Sequence, residues 1–362
     1  MTEKKRIDSF DILKTIAIFL VVFCHYTVLS DTVAENFAMT ICFIGVPIFF
    51  MVNGALLMRK SFDLKQHLLK TFSVYTVATI WRILYLIINV IKNDTFEQLI
   101  NLKQETLSYI LLWSNSSLSA PGHMWFMESL LAIYLIFPIL HLCYKSEKQG
   151  RQSLSLLLAV LFVGIICKTE FNIAISVINK FLSTNFTISA NPINDFMPYS
   201  QGTAIFYFVL GTLLTQKLNG YEDSPKISIN FKHRIILFII FIASWVLMIW
   251  TKSLVDGTWN WNGTLYAYGY QRIPTLLASA SLFITLYDIR LNKNIIRKFF
   301  KTISSYTLGI YYLHWIILPF ITPLFVTNGL LQNTAKTLIA IGFSCFIIFI
   351  LSYVPVIRKL VK

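Results

Sequence analysis

The chain has 362 residues, of which 56% are hydrophobic and only 13% are charged, and its mean hydropathy is +0.65. Charged residues make up about 25% of an ordinary soluble domain, so this composition excludes that class. The formal charge of +14 raises the question of a nucleic-acid partner, which depends on where the basic residues lie.

Ten apolar stretches follow one another along the chain and predict about ten transmembrane helices. In order, the predicted spans are 10–30, 37–58, 69–91, 123–144, 153–172, 201–218, 233–251, 270–289, 305–326 and 335–357. The alternating pattern of a transmembrane barrel is absent, and no signal-peptide cleavage site follows the first stretch. We therefore expect an all-α, polytopic membrane protein with one transmembrane domain over residues 1–362.

The basic residues predict the direction in which these spans run. Most of the 31 Lys and Arg residues fall near the two termini or in alternate connections, such as 59–70 and 290–301. Cytoplasmic connections of membrane proteins are enriched in Lys and Arg, so both termini are predicted to be cytoplasmic. The orientation of the protein in the membrane thus explains the net positive charge. The lipid bilayer is therefore an expected partner, and nucleic acid is not.

Two predicted outer connections are long. The first, 92–122, contains an amphipathic stretch at 95–113 that is expected to lie along the membrane surface. The second, 173–200, is rich in Asn, Ser, Thr and Pro, so we predict a loop there.

The first span contains two ionisable residues, Lys14 and His25. They are eleven residues apart, close to three turns of helix, and therefore project from one face about 16 Å apart. An ionisable residue in a membrane helix is costly to bury and indicates function by default, although a histidine can also lie at the interface.

Four ionisable residues are predicted at a similar depth in the outer half of the bilayer: His25, Arg82, Glu128 and Arg272. They predict one water-accessible cavity, although each could instead form an ion pair between helices. His25 suits a general base because imidazole has a pKa of about 6.5. Glu128 could orient His25, or it could be the partner of an arginine. His314 lies midway along the ninth span.

Several common catalytic patterns are missing. The sequence has no G-x-S-x-G, HExxH, GxGxxG or Walker A motif, which removes support for serine-hydrolase, zincin, dinucleotide and NTPase chemistry. Its five cysteines form no CxxC pattern, so we expect neither a metal site nor a structural disulfide.

Four segments together resemble the acyltransferase-3 family of integral membrane acyltransferases. Residues 6–25 resemble its opening R-x-D motif and the histidine that follows, and residues 43–54 its V-x-x-F-F-V-x-S-G segment. Residues 123–128 resemble its x-x-W-F-L segment, and residues 303–315 its I-S-x-x-S-x-x-I-Y-L-x-H segment. Lys14 replaces the arginine common in the family, and Asn53 replaces its serine.

The resemblance implies a multi-pass enzyme of the bacterial plasma membrane. It would move an acyl group, with acetyl expected, from cytoplasmic acyl-CoA to a hydroxyl of a cell-surface or lipid-linked saccharide, without a metal. His25 is expected to be the base, with Glu128 and Arg82 as the other catalytic residues. The residues expected to bind the substrates are Lys14, Asn53, His123, Trp125, Arg272 and His314.

Three alternatives remain at this level. His25 could itself carry the acyl group as a covalent intermediate. A transporter or flippase of a glycan precursor would share the polar cavity, although the sequence lacks the internal repeats of many transporters. A non-catalytic assembly partner would leave the charged residues in the spans unexplained.

Overall fold

The computed structural model describes residues 6–26, 38–93, 107–109, 113, 122–146, 148–186, 199–219, 227, 229–256, 269–325 and 329–361. Within these residues the regular structure is entirely helical. Eight helices in the described part of the chain are long and apolar enough to cross a membrane. The chain is therefore a polytopic all-α membrane protein, as predicted.

Twelve α-helices are numbered here in chain order, over the described residues. They are α1 (Asp8–Tyr26), α2 (Gly45–Leu57), α3 (Leu64–Asn93), α4 (Trp125–Lys145), α5 (Lys148–Leu161), α6 (Lys168–Leu182), α7 (Tyr199–Asn219), α8 (Phe231–Asp256), α9 (Ile273–Leu286), α10 (Asn294–Ile321), α11 (Leu330–Leu351) and α12 (Pro355–Val361). Short 3₁₀ turns precede α2, α4 and α9, at Cys42–Ile44, Gly122–Met124 and Gly269–Gln271. A π-helical segment, Phe162–Cys167, joins α5 to α6.

Two of the ten predicted spans are occupied by helices outside that set of eight. Helix α9 has 14 residues, which gives a length of about 21 Å against a hydrocarbon core of about 30 Å. Helix α7 has 21 residues, and its segment 202–209 is buried throughout. It packs between α2 and α4, and a helix enclosed by protein does not need an apolar surface for lipid.

The second predicted outer loop begins later than expected. Helix α6 continues to Leu182, so the loop prediction was wrong for residues 173–182, where an amphipathic helical pattern outweighs the polar composition. The predicted surface stretch at 95–113 falls outside the described residues except for 107–109 and 113.

The first turn of α1 is bound to the start of α10. Asp11 accepts hydrogen bonds from Arg6 Nε at 2.7 Å and from Ser304 Oγ at 2.6 Å. Asp8 accepts one from the Leu291 backbone N–H at 2.9 Å. The acidic residues that open α1 therefore do more than complement the helix dipole: they fix the register of α1 against α10, the two helices that carry His25 and His314.

Helices α2 and α7 are in especially close contact. A Cβ atom at Gly54 would overlap the carbonyl oxygen of Phe208, and one at Gly211 would overlap the carbonyl oxygen of Met51. Only glycine allows the two backbones to approach this closely. The contact fixes the position of α2, which carries Asn53 into the central cavity.

Candidate functional site

A cavity of about 810 Å³ lies at the centre of the bundle, and it contains both Lys14 and His25. Helix α1 supplies these two residues from one face, as their spacing predicted. Three more of the residues expected to bind substrate also line it: Asn53, His123 and Trp125. The remaining wall is largely aromatic and includes Phe43, Phe49, Phe126, Tyr270, Tyr311 and Trp315. The cavity therefore combines a cation, imidazoles and flat apolar surfaces.

Three histidines meet beside Trp315: His25 and His123 line the cavity, whereas His314, which was expected to bind substrate, is fully buried and does not line it. The ring centroid of His25 lies 5.3 Å from that of His314 and 5.8 Å from that of His123, and the His123 and His314 centroids are 5.2 Å apart. The ring centroid of Trp315 lies 5.5 Å from that of His25 and 5.1 Å from that of His123. We refer to His25, His123 and His314 as the histidine cluster.

Three tyrosine hydroxyls fix the backbone around the histidine cluster. Tyr26 donates a hydrogen bond to the His314 carbonyl at 2.8 Å, and Tyr311 donates one to the His123 carbonyl at 2.6 Å. Tyr85 donates one to the Tyr312 carbonyl at 2.7 Å. These bonds join α1, α3 and the turn before α4 to α10. Because buried hydrogen bonds are costly to lose, they fix the backbone at His123 and His314.

The hydrogen bonds of His314 and His123 determine where their lone pairs lie. His314 Nδ1 is 3.1 Å from the Ile310 carbonyl oxygen, which can only accept, so Nδ1 carries the proton and Nε2 the lone pair. His123 Nε2 is 3.4 Å from the oxygen of the Tyr85 hydroxyl, which donates its own proton to the Tyr312 carbonyl. His123 Nε2 is therefore the donor, and Nδ1 carries the lone pair. Among the described residues, neither His314 Nε2 nor His123 Nδ1 has a hydrogen-bond partner.

Arg82 and Glu128 form an ion pair with each other. Arg82 Nη1 is 3.0 Å from Glu128 Oε1, and the guanidinium lies 4.4 Å from the ring centroid of Tyr109. Within the described residues, Glu128 makes no hydrogen bond with His25, and neither member of the pair lines the central cavity. The structure thus places Glu128 as the partner of an arginine, one of the two arrangements that the sequence left open.

Arg272 is likewise bound to a carboxylate. Its Nε lies 2.8 Å and its Nη2 3.3 Å from the two oxygens of Glu170, which also accepts the Ile273 backbone N–H at 2.7 Å. The side chain of Arg272 does not line the cavity, but the two residues before it, Tyr270 and Gln271, do. Arg272 therefore fixes the turn that presents Tyr270 to the cavity.

Two further cavities lie between Lys14 and the basic connections. One, of about 600 Å³, shares Lys14, Thr307 and Leu308 with the central cavity and is also lined by Arg6 and Arg59. The other, of about 820 Å³, shares Arg6 and Arg59 with the first. It is also lined by Asp8, Asp11, Asp288, Arg290, Arg297 and Lys301. We refer to these two cavities together as the basic vestibule; it adjoins the central cavity at Lys14.

A neutral hydroxyl holds Arg59 in the wall of the basic vestibule. Arg59 Nη2 donates a hydrogen bond to the Tyr287 hydroxyl at 2.8 Å, and Tyr287 donates in turn to Asn219 Oδ1 at 2.8 Å. A phenol hydroxyl is neutral near pH 7, because its ordinary pKa is about 10. The hydroxyl therefore stays neutral, and Arg59 is positioned without losing its net charge to this partner.

The described residues contain no cluster of three or more His, Cys, Asp or Glu side chains with the geometry to hold a metal ion. The histidine cluster provides imidazoles, which can accept or donate a proton near neutral pH. Such groups suit proton transfer from a hydroxyl during attack on a carbonyl carbon.

Sequence reasoning missed three members of the site: Tyr85, Tyr311 and Trp315. Tyr311, His314 and Trp315 are spaced at i, i+3 and i+4, so they lie on one face of α10. This spacing could have indicated the aromatic wall around His314. Tyr85 gave no comparable signal, because its role depends on how α3 packs against α10.

The fold and the cavity together define a multi-pass membrane protein with an internal cavity lined by histidine and aromatic side chains. A family model described as an acyltransferase domain, Acyl_transf_3, matches residues 7–356. The match covers nearly the whole chain, and the chain belongs to this family; it is a membrane acyltransferase. No curated protein and no solved structure matches the chain.

Proposed function

We propose that this protein transfers an acyl group from cytoplasmic acyl-CoA to a hydroxyl of a cell-surface or lipid-linked saccharide. We expect acetyl-CoA as the donor and the bacterial plasma membrane as the location. One observation supports the proposal: the basic vestibule and the cavity that contains His25 share Lys14, Thr307 and Leu308 in their walls. We propose that an anionic donor reaches the base from the basic connections by passing Lys14.

The vestibule matches the charge distribution of an acyl-CoA. The phosphates of CoA lie at the end opposite the thioester, and Arg290 and Lys301 are among the cations available to them. Lys14 lies where the vestibule meets the central cavity. About 16 Å of helix separates it from His25, a distance suited to the narrow pantetheine arm. The thioester would then lie beside the histidine cluster.

In the proposed reaction, His25 removes the proton from the acceptor hydroxyl as its oxygen attacks the thioester carbon. The tetrahedral intermediate collapses, the carbon–sulfur bond breaks, and His25 returns the proton to the departing thiolate. The products are the ester and free CoA. We assign Arg82 and Glu128 to the support of the site, because each neutralises the other outside the cavity wall.

The aromatic wall supports a saccharide as the acceptor. The rings of Trp125, Tyr270 and Phe43 all line the cavity. The ring centroid of Tyr270 lies 5.4 Å from that of Trp125 and 5.7 Å from that of Phe43. Aromatic faces suit the C–H faces of a sugar ring, while a few polar groups fix its orientation. Asn53 and His123 are the polar groups we propose for that second role.

The direct test is ester formation by the purified protein. Radiolabelled acetyl-CoA is supplied together with an alkyl glucoside, and the product is examined for an alkali-labile ester. We expect wild-type protein to form the ester, and His25→Ala and His25→Gln to form none while accumulating normally in the membrane. Near wild-type acylation by either variant would exclude His25 as the base.

A second set of variants tests the donor route. Lys14→Met is expected to raise the KM for acetyl-CoA about tenfold, because a cation facing the donor is lost, whereas Lys14→Arg keeps the charge. The matched control is Lys65→Met, which removes a cation from an exposed position outside the three cavities. If the protein were a transporter, it would release no CoA and form no ester when acetyl-CoA and the alkyl glucoside are both supplied.

A further inference from the structure

We propose that His314 is a positioning residue for His25: its Nε2 lone pair accepts a hydrogen bond from one N–H of His25. The other nitrogen of His25 is thereby directed at the acceptor hydroxyl. This inference rests on the proposed function and assigns to an imidazole the orienting role that the sequence suggested for Glu128.

The orientation of His314 is fixed by its own helix. Nδ1 donates to the Ile310 carbonyl one turn earlier, so the lone pair of Nε2 points away from the axis of α10. The side chain is fully buried, and within the described part of the chain Nε2 has no hydrogen-bond partner. A buried acceptor without a donor is costly and calls for an explanation.

His25 is the donor best placed to satisfy His314. Two imidazoles joined by an in-line hydrogen bond of about 2.9 Å have ring centres about 5 Å apart, and the observed separation is 5.3 Å, with ring planes inclined by 33°. His123 is the other candidate acceptor, but its ring is farther from His25, at 5.8 Å, and inclined by 64°. Since χ2 of histidine has a broad minimum, a modest rotation of His25 completes the bond to His314.

Protons balance without any transfer to His314. Before reaction, His25 is neutral, with one N–H donated to His314 and one lone pair facing the acceptor hydroxyl. During attack the hydroxyl proton moves to this lone pair, the oxygen–carbon bond forms, and His25 becomes an imidazolium. When the carbon–sulfur bond breaks, that same proton passes to the thiolate, and His25 is neutral again.

A neutral acceptor suits this position better than a carboxylate. Burying an ionised carboxylate requires a compensating partner, and Glu128 already has one in Arg82. An imidazole with a fixed tautomer holds the N–H of His25 without adding a buried charge. It also stabilises the imidazolium through a charge-assisted hydrogen bond once the proton has been taken.

Two substitutions at one position separate positioning from packing. His314→Gln places an amide oxygen near the Nε2 position, whereas His314→Asn keeps a donor near Nδ1 and removes the Nε2 acceptor. With acetyl-CoA and the alkyl glucoside, we expect His314→Asn to lower kcat about 100-fold with little change in KM. His314→Gln should stay within about tenfold of wild type. Equal losses, or a larger loss in His314→Gln, would overturn the inference.

A second measurement does not depend on catalysis. The rate at which diethyl pyrocarbonate modifies His25 is followed by mass spectrometry, with the exposed His233 as internal reference. A hydrogen bond donated by His25 makes its free nitrogen more nucleophilic, so His314→Asn should slow modification several-fold and His314→Gln should largely preserve it. Unchanged rates in both variants would overturn the role of His314, even if the wild-type protein formed ester. Absence of ester from wild-type protein would instead contradict the proposed function.

Discussion

Arg82 is the largest side chain in the structure that is almost completely buried, with 1% of its side chain exposed. A cation at such a position depends on its partners, here the carboxylate of Glu128 and the faces of Tyr109 and Trp113. Removing one member of a buried pair is usually more costly than removing both, because a charge is then left uncompensated.

This asymmetry gives a prediction for Glu128→Gln. Because 30% of the Glu128 side chain is exposed and solvent screens part of the loss, we expect this substitution to lower the free energy of unfolding by about 1–3 kcal/mol. The double variant Arg82→Met/Glu128→Gln should recover most of that loss. Thermal unfolding of the detergent-solubilised protein measures both. Additive losses would contradict the pairing. A Glu128→Gln variant as stable as wild type but inactive would return Glu128 to a catalytic role.

At the residue scale, the sequence could predict which residues share a face of one helix but not which residues of different helices meet. The helical repeat sufficed for Lys14 and His25, which share one helix and so one face. It could not predict that Glu128 turns toward Arg82, or Arg272 toward Glu170, because those contacts depend on the rotation of one helix against another. The orphan lone pair of His314 depends on a tautomer, which no sequence pattern specifies.

At the element scale, α2 and α7 pack in especially close contact. It depends on glycines whose missing Cβ atoms allow one backbone to contact another. Hydropathy predicted both helices but contained no information about this contact. Hydropathy also could not show that protein surrounds α7, where the polar side chains of Thr203, Thr212 and Thr215 are buried.

Gly211→Ala is expected to destabilise the protein. Its methyl group would overlap the Met51 carbonyl, so α2 and α7 must separate, at a cost of about 1–3 kcal/mol. Gly342→Ala in α11 is the matched control, because a Cβ there meets nothing within 4 Å. The control should raise stability by about 0.5–1 kcal/mol through helix propensity. Equal thermal unfolding temperatures for the two variants would contradict the close contact.

At the scale of the whole molecule, the basic residues predict the sidedness on which the proposed donor route depends. The basic vestibule includes Arg290, Arg297 and Lys301, from a connection and helix start that the sequence assigns to the cytoplasm. Cytoplasmic termini and a single domain over 1–362 stay predictions. The all-helical architecture is confirmed, because hydropathy depends on composition averaged over many residues rather than on any one contact.

Two exposed asparagines provide a matched test of sidedness. Asn292 lies just before α10, and Asn185 lies just after α6. In a background without the five native cysteines, a membrane-impermeant thiol reagent should label Asn292→Cys only from the cytoplasmic side and Asn185→Cys only from the outside. The reverse pattern would invert the topology and require the donor to arrive from outside.

The passage at Lys14 has a consequence for kinetics. If the donor occupies the vestibule and the acceptor occupies the aromatic wall, both substrates are bound before either product leaves. Double-reciprocal plots of initial rate at several fixed acceptor concentrations should then intersect, as in a sequential mechanism. Parallel lines would instead indicate an acyl-histidine intermediate that forms in one half-reaction and is consumed in a second. Free CoA should compete with acyl-CoA for the vestibule but not with the saccharide.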